Sequence, residues 1–367
     1  MNENNFSSYQ DKFLSINLNK LIISISFLLY FFSSYNILYI GNISLITLFI
    51  FLVINFNHIK FSIKEIKIYL ALLSFIAFKL LFSENILDAL KNVKFVFLFI
   101  LFLQVYKIYS MEFFITKFFY YFLVFLTFFD TILINTLVDP FVIHKESLVH
   151  LHKYFGFYQR SASFGGSASV TSVCLIVLAC LIEINGQKLK FYDLGFLLIT
   201  ILLLINTTGL IIFVLYLVLR NYFFKNSLFS ILAAGLMLVF VFLMFYFLDI
   251  KIVEKFSFEY IKIVFHLKTI GLKYLFGSTN YIDLFFGNDV YLGFTDDFLS
   301  NIIASIGFIG LLIFLIVIIY HIELKSLYIF PLTLILIGSL HYQTFSTPAG
   351  IILFTFILNK LKNKNLT

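Results

Sequence analysis

Apolar stretches follow one another along the chain at 20–33, 37–56, 68–82, 95–106, 113–138, 168–184, 194–206, 209–220, 228–248, 298–319, 327–340 and 349–359, separated by short clusters of Lys, Asn, Ser and Glu. A helix that crosses a bilayer needs about 20 mostly apolar residues, and fewer where it is partly enclosed by protein. The pattern therefore predicts an all-α polytopic integral membrane protein with about 12 transmembrane helices. Two intervals, 139–167 and 249–297, are too long to be turns and are expected to be long loops. No linker and no long internal repeat interrupts the pattern, so residues 1–367 read as a single transmembrane domain.

Basic residues fall in alternate loops: Lys60, Lys64 and Lys67; Lys107; Lys188 and Lys190; Arg220 and Lys225; Lys325; and the tail Lys360, Lys362 and Lys364. Cytoplasmic loops carry this excess. The alternation places both termini in the cytoplasm and both long loops on the outer side. The polar start, MNENNFSSYQDKFLSINLNK, has no small-residue cleavage site before a short apolar core, so no cleavable signal peptide is expected.

Composition sharpens this reading. At 61% hydrophobic and 12% charged residues, a soluble domain could not hide its apolar surface. The net charge of +7 is scattered along the edges of apolar runs, a pattern of membrane orientation and not of nucleic-acid binding. Cys174 and Cys180 sit six residues apart in one apolar stretch and point in different directions, so neither a disulfide nor a metal site is expected. No ligand cluster for a metal and no cofactor motif is seen.

Chemistry is expected in the loops, carried on a rigid bundle. The first long loop contains YQRSASFGGSA, Tyr158 to Ala168, with one of the two arginines of the chain, Arg160. Ser161, Ser163, Gly165, Gly166 and Ser167 are expected to leave backbone N–H groups accessible at a helix N-terminus, which together with a guanidinium suits an anion. The plainer alternative is an interfacial anchor, or a partner for Asp139 or Glu146.

In the second long loop Lys251, Lys255, Glu259, Lys262, His266, Thr269 and Lys273 recur at helical spacing opposite Ile252, Phe256, Ile263, Val264 and Ile270, which predicts a basic amphipathic helix in the membrane interface. Residues 276–297 then hold Asp283, Asp289, Asp296 and Asp297 and no Lys or Arg. Asp297 could equally cap the next helix. Deeper in the bundle, Asp130 among Thr127, Thr131 and Asn135 is either a functional carboxylate or a hydrogen-bonded packing residue. Lys79 is placed to snorkel, and Gly307 and Gly310 to permit close helix packing.

Four segments, in this order, resemble the O-antigen polymerase (Wzy-type) and O-antigen ligase family over roughly residues 155–358: YQRSASFGGSASVTSVCLIVLACL, LLLINTTGLIIFVLYLVLR, FTDDFLSNIIASIGFIGLLIFL and HYQTFSTPAGIILF. The turn Asn206-Thr207-Thr208-Gly209 lacks the arginine often found there in the family, and the second long loop has no arginine, so its lysines would have to serve.

The resemblance implies a metal-independent glycosyltransferase of the bacterial inner membrane, without a cofactor. It would join undecaprenyl-diphosphate-linked oligosaccharide units at the periplasmic face, among membrane lipid, with a chain-length regulator and a flippase as candidate partners. Arg160, Lys262, His266 and Lys273 would bind the diphosphate. Asp296 or Asp297 would serve as base, with His341 beside them. An O-antigen ligase, or a flippase for the same lipid-linked unit, is the alternative.

Overall fold

The structure, a computed structural model, describes residues 20–35, 41–59, 61–83, 86–109, 112–143, 158–224, 281–287, 298–322, 326–340 and 347–362, with the single residues 235, 342 and 344. Among these residues the chain forms helices and no strand. They are α1 (Lys20–Phe31), α2 (Gly41–Ile54), α3 (Ile63–Leu81), α4 (Ile86–Ile108), α5 (Lys117–Thr136), α6 (Pro140–Ile143), α7 (Ala168–Ile184), α8 (Phe191–Leu203), α9 (Thr207–Phe224), α10 (Tyr281–Phe286), α11 (Phe298–Tyr320), α12 (Ile329–Ser339) and α13 (Pro348–Lys362). Each apolar stretch read from the sequence carries one of these helices, apart from 228–248, which lies outside the described residues, as does the amphipathic segment Lys251 to Lys273. By length and composition, α5 and the Ile302–Tyr320 part of α11 could cross a membrane; α1, α2, α7, α8 and α12 are shorter apolar helices.

Local chemistry sets the helix starts. Ser62 and Glu65 form a capping box at α3, with Glu65 N donating to Ser62 Oγ at 3.2 Å. Thr116 caps α5 by accepting from Phe119 N, and Ser167 caps α7 by accepting from Val170 N, both at 3.2 Å.

Two helices are apolar all round and are buried all round, as that pattern requires. These are α7, buried without interruption from Ala168 to Glu183, and α13, buried from Ala349 to Asn359. Around them α7 packs on α9, α12 and α13; α13 packs on α4; and α3 and α10 pack on α11. The outermost helix faces reverse the soluble pattern. On α5, Phe118, Phe122, Phe125 and Phe129 face outward, while Thr127, Asp130 and Thr131 face inward.

Three expectations bear on α11 and its contacts. Gly310 does allow close packing, since a Cβ there would come within 2.6 Å of Phe75 Cε1. Gly307 packs closely too and in addition marks a break: its φ of 65° and ψ of −178° are not helical and lie where essentially only glycine goes. A Cβ at Gly307 would also strike the Phe285 carbonyl. Lys79 does not snorkel to an exposed position. It is buried, and its ammonium donates to the Ser305 carbonyl beside the break. A broken helix leaves carbonyls without their backbone donors, and a cation at that point replaces one.

The helix ends sort into two sets. One end gathers Glu65 with Lys107, Lys362 and His321; Glu112 with Lys360; Lys117 with Lys188; and Glu183 with Arg220. The other gathers Lys79 with Ser305, Ser34 with Phe164, and Asn135 with Gln159.

Candidate functional site

α5 carries one polar stripe on an otherwise apolar helix: Thr127, Asp130, Thr131 and Asn135. At 3.6 residues per turn these positions share a face. That face meets residues 159, 161 and 163 rung by rung. Asn135 brackets Gln159, with Oδ1 accepting from Gln159 N and Nδ2 donating to Gln159 O, each at 2.7 Å. The Ser161 hydroxyl donates to Asp130 Oδ2. The Thr127 and Ser163 hydroxyls are 3.1 Å apart. Eight residues of helix rise about 12 Å, and four of extended chain reach at most about 13 Å, so the two registers run together.

The segment is held equally firmly from its other sides. Ser34, in the turn after α1, donates to the Phe164 carbonyl at 2.6 Å and to the Ser163 carbonyl at 3.3 Å. The Tyr35 hydroxyl lies 3.2 Å from Ser163 Oγ and hydrogen-bonds Asp130 as well. Thr171 Oγ1 donates to the Ala162 carbonyl at 2.7 Å and accepts from Gly165 N at 3.1 Å. Phe164 stacks on Phe31 with ring centroids 5.3 Å apart. Under these constraints Ser163 adopts a φ of 50°, a left-handed conformation unusual for a serine. Gly165 has no room for a Cβ, which would lie 2.5 Å from Thr171 N.

Residues 161–165 are therefore buried, and Arg160 beside them is half-buried. This corrects the expectation of accessible N–H groups at Ser163, Gly165 and Gly166. Ser163 N, Gly165 N, Gly166 N, Val170 N and Thr171 N all donate to protein acceptors. Asp130 is one link in this arrangement, bonded to Ser161 and Tyr35 on other segments of the chain. The polar stripe on α5 was legible in the sequence; its partner at 159–163 was not, because nothing in local spacing joins the two.

Of the other predicted site residues, Lys262, His266, Lys273, Asp296, Asp297 and His341 lie outside the described residues. The turn where the arginine of the family is missing is a tight junction: Asn206 Oδ1 accepts from Ser169 Oγ and Thr208 N, and Nδ2 donates to the Ala168 carbonyl, all at 3.1 Å. Gly209 sits against Ser172 with no space for a Cβ. Asn206 thus fastens the start of α9 to the start of α7. Among the described residues no group of three His, Cys, Asp or Glu could hold a metal ion.

A second polar cluster occupies the opposite end. Buried Glu65 pairs with Lys107 and, at 3.3 Å, with Lys362. Burial pushes the Glu65 carboxyl up, and the Lys107 hydrogen bond and the charges of both lysines outweigh it, so its pKa falls below the ordinary value. His321 is buried beside it, with Nδ1 2.8 Å from the Val317 carbonyl and Nε2 3.4 Å from the Tyr69 hydroxyl. Burial lowers its pKa to about 4. This end ties α3, α4, α11 and α13 together and has the character of a structural clamp.

Fold and site together define a helical bundle that grips a non-helical arginine segment at one end and clusters lysines at the other. Comparison of the chain with known protein families, with curated proteins and with solved structures finds no match.

Proposed function

We propose that the chain is a multi-pass membrane glycosyltransferase of the O-antigen polymerase type, working at the outer face of the bacterial inner membrane with both termini in the cytoplasm. One observation carries the reading: Arg160 sits on a segment fixed by at least five hydrogen-bonding side chains, at the end of the bundle away from the clustered lysines. A guanidinium carried by a fixed segment on that side suits a lipid diphosphate, which gains charge as it leaves. The phenylalanine-lined outer face of α5 and the sorting of helix ends support the membrane part.

In this reading an acceptor sugar hydroxyl attacks the anomeric carbon of the growing glycan. The new glycosidic C–O bond forms as the bond to diphosphate breaks, and the hydroxyl proton passes to a carboxylate. Asp296 or Asp297 is the proposed base, with His341 as the other candidate. Lys262, His266 and Lys273 would assist Arg160 on the diphosphate. A chain-length regulator and a flippase are proposed partners.

A transporter of the same lipid-linked unit is the second reading. The buried Lys79 and Asp130 favour it, because ionisable groups inside a bundle commonly mark a pathway. The deciding experiment is loss of the gene product. Lipopolysaccharide core bearing one repeat unit identifies a polymerase. Core with none points to the ligase or the transporter, and accumulation of lipid-linked units on the cytoplasmic side separates the transporter from the ligase.

A further inference from the structure

We propose that Asp130 and Asn135 are positioning residues for Arg160: from one face of α5 they fasten the chain immediately before and after it, and so set where its guanidinium meets an anionic group. The inference rests on the reading of Arg160 as the diphosphate ligand.

The geometry is specific. Asn135 holds both backbone polar groups of Gln159 and so fixes the main chain there. Asp130 holds Ser161 through the side chain. The one residue between these two anchors is Arg160. Ser161 Oγ also accepts from Ser163 N at 3.0 Å, which carries the Asp130 anchor on into the left-handed turn at Ser163.

The arrangement is costly in the way that functional segments are. A helix satisfies its own backbone, whereas a non-helical stretch within a bundle must borrow partners from side chains. Here Asn135, Ser34 and Thr171 supply them, a buried carboxylate is added, and a serine takes a strained φ. Continuing α7 by two turns toward its N-terminus would avoid all of this. What the non-helical path achieves is a fixed position for residue 160. Strain of this type persists only where the surroundings over-determine it, and it concentrates at working sites.

The test uses the full chain purified in lipid nanodiscs, with farnesyl diphosphate as the probe and farnesol, the same chain without phosphates, as its control. Arg160→Ala should weaken farnesyl diphosphate binding by roughly ten- to a hundredfold. Asp130→Ala and Asn135→Ala should weaken it in the same direction while farnesol binding stays constant. The double variants with Arg160→Ala should bind no worse than Arg160→Ala alone, because groups that act through one another are non-additive. Should Asp130→Ala fail to insert, Ser161→Ala removes the same bond from its other partner and carries the test.

Normal binding by Arg160→Ala would overturn the diphosphate reading and this inference with it. Weak binding by Arg160→Ala alongside normal binding by Asn135→Ala and Ser161→Ala would overturn the inference alone. Additive losses, or a parallel loss of farnesol binding, would show that α5 acts on the fold and not through Arg160.

Discussion

Arg220 Nε lies 2.9 and 2.8 Å from the two carboxylate oxygens of Glu183. Its Nη2 donates to the Leu189 carbonyl at 2.9 Å, while Glu183 also accepts from the Tyr216 hydroxyl at 2.8 Å and from Leu189 N at 3.2 Å. The two arginines of the chain thus have opposite tasks: this one locks α7 to α9, and Arg160 is held at the other end of the bundle. Removing one partner of a buried pair leaves the other charge uncompensated, at about 3–5 kcal/mol. Arg220→Ala should therefore lower the melting temperature sharply in detergent. Arg220→Lys should recover only part of the loss, since lysine cannot span the carboxylate and the Leu189 carbonyl together. An Ala variant that melts with the wild type would show that the pair adds nothing to stability.

The helices were legible because their apolar runs are long and their caps are local, as at Ser62, Thr116 and Ser167. The break at Gly307 was not. A glycine in an apolar run reads equally as a packing site or a kink; Gly307 is both, pressed against the Phe285 carbonyl and set at non-helical angles. Burial of 161–165 was hidden for the opposite reason. Ser and Gly at a helix entrance look like loop chemistry, and the segment's partners Ser34, Thr127 and Asp130 are remote in sequence. Lys79 misled because its distance from the helix end suggested snorkelling, while the carbonyl that holds it exists only because α11 is broken.

Glycine substitutions separate these cases. Gly307→Ala meets both a left-handed φ of 65° and a backbone collision, so it should strongly reduce the yield of folded protein. Gly195, inside α8, has nothing within 4 Å of a built Cβ. Gly195→Ala should be neutral or stabilising by about 0.5–1 kcal/mol, from the better helix propensity of alanine. Size-exclusion profiles and melting curves of the two variants are the measurement, and a well-folded Gly307→Ala protein would refute the break.

Acid should loosen the lysine-rich end. His321 is held neutral by burial, with its pKa lowered to about 4 among Glu65, Lys107 and Lys362. The unfolded chain, with an ordinary histidine near 6.5, binds the proton first, so folding stability falls as pH drops from about 6.5 to 4. The displacement corresponds to about 3 kcal/mol across that window. Glu65, whose carboxyl is also lowered, adds to the loss below pH of about 4.5, so both groups act in the same direction. His321→Gln should flatten the dependence of melting temperature on pH between 6.5 and 4.5. An unchanged slope in the variant would exclude His321 as its source.

Sidedness can be read with an impermeant maleimide once Cys174 and Cys180, both buried and free, are replaced. Leu137 is exposed at the Arg160 end and Lys188 is exposed at the lysine-rich end. Leu137→Cys should label in intact spheroplasts, and Lys188→Cys only in inverted vesicles. Labelling of both from one side would overturn the proposed orientation.

Arg160 offers the sharpest test of function. Lysine keeps the charge but loses the planar fork that can hold two phosphate oxygens at once, and alanine loses both. Residue 160 is fixed through its neighbours' bonds to Asn135 and Asp130, so a substitution of its side chain should leave the segment in place. A charge-assisted hydrogen bond contributes about 1.5–3 kcal/mol, which sets a loss of roughly ten- to a hundredfold as the least expected for Arg160→Ala. Arg160→Lys should recover only part of it. The readout is glycan ladder length on a gel, normalised to membrane-inserted protein. An interfacial anchor would behave differently: lysine would serve as well as arginine, and the alanine variant would lose protein instead of activity. Full-length ladders from Arg160→Ala at normal protein levels would end the role of this residue on the diphosphate.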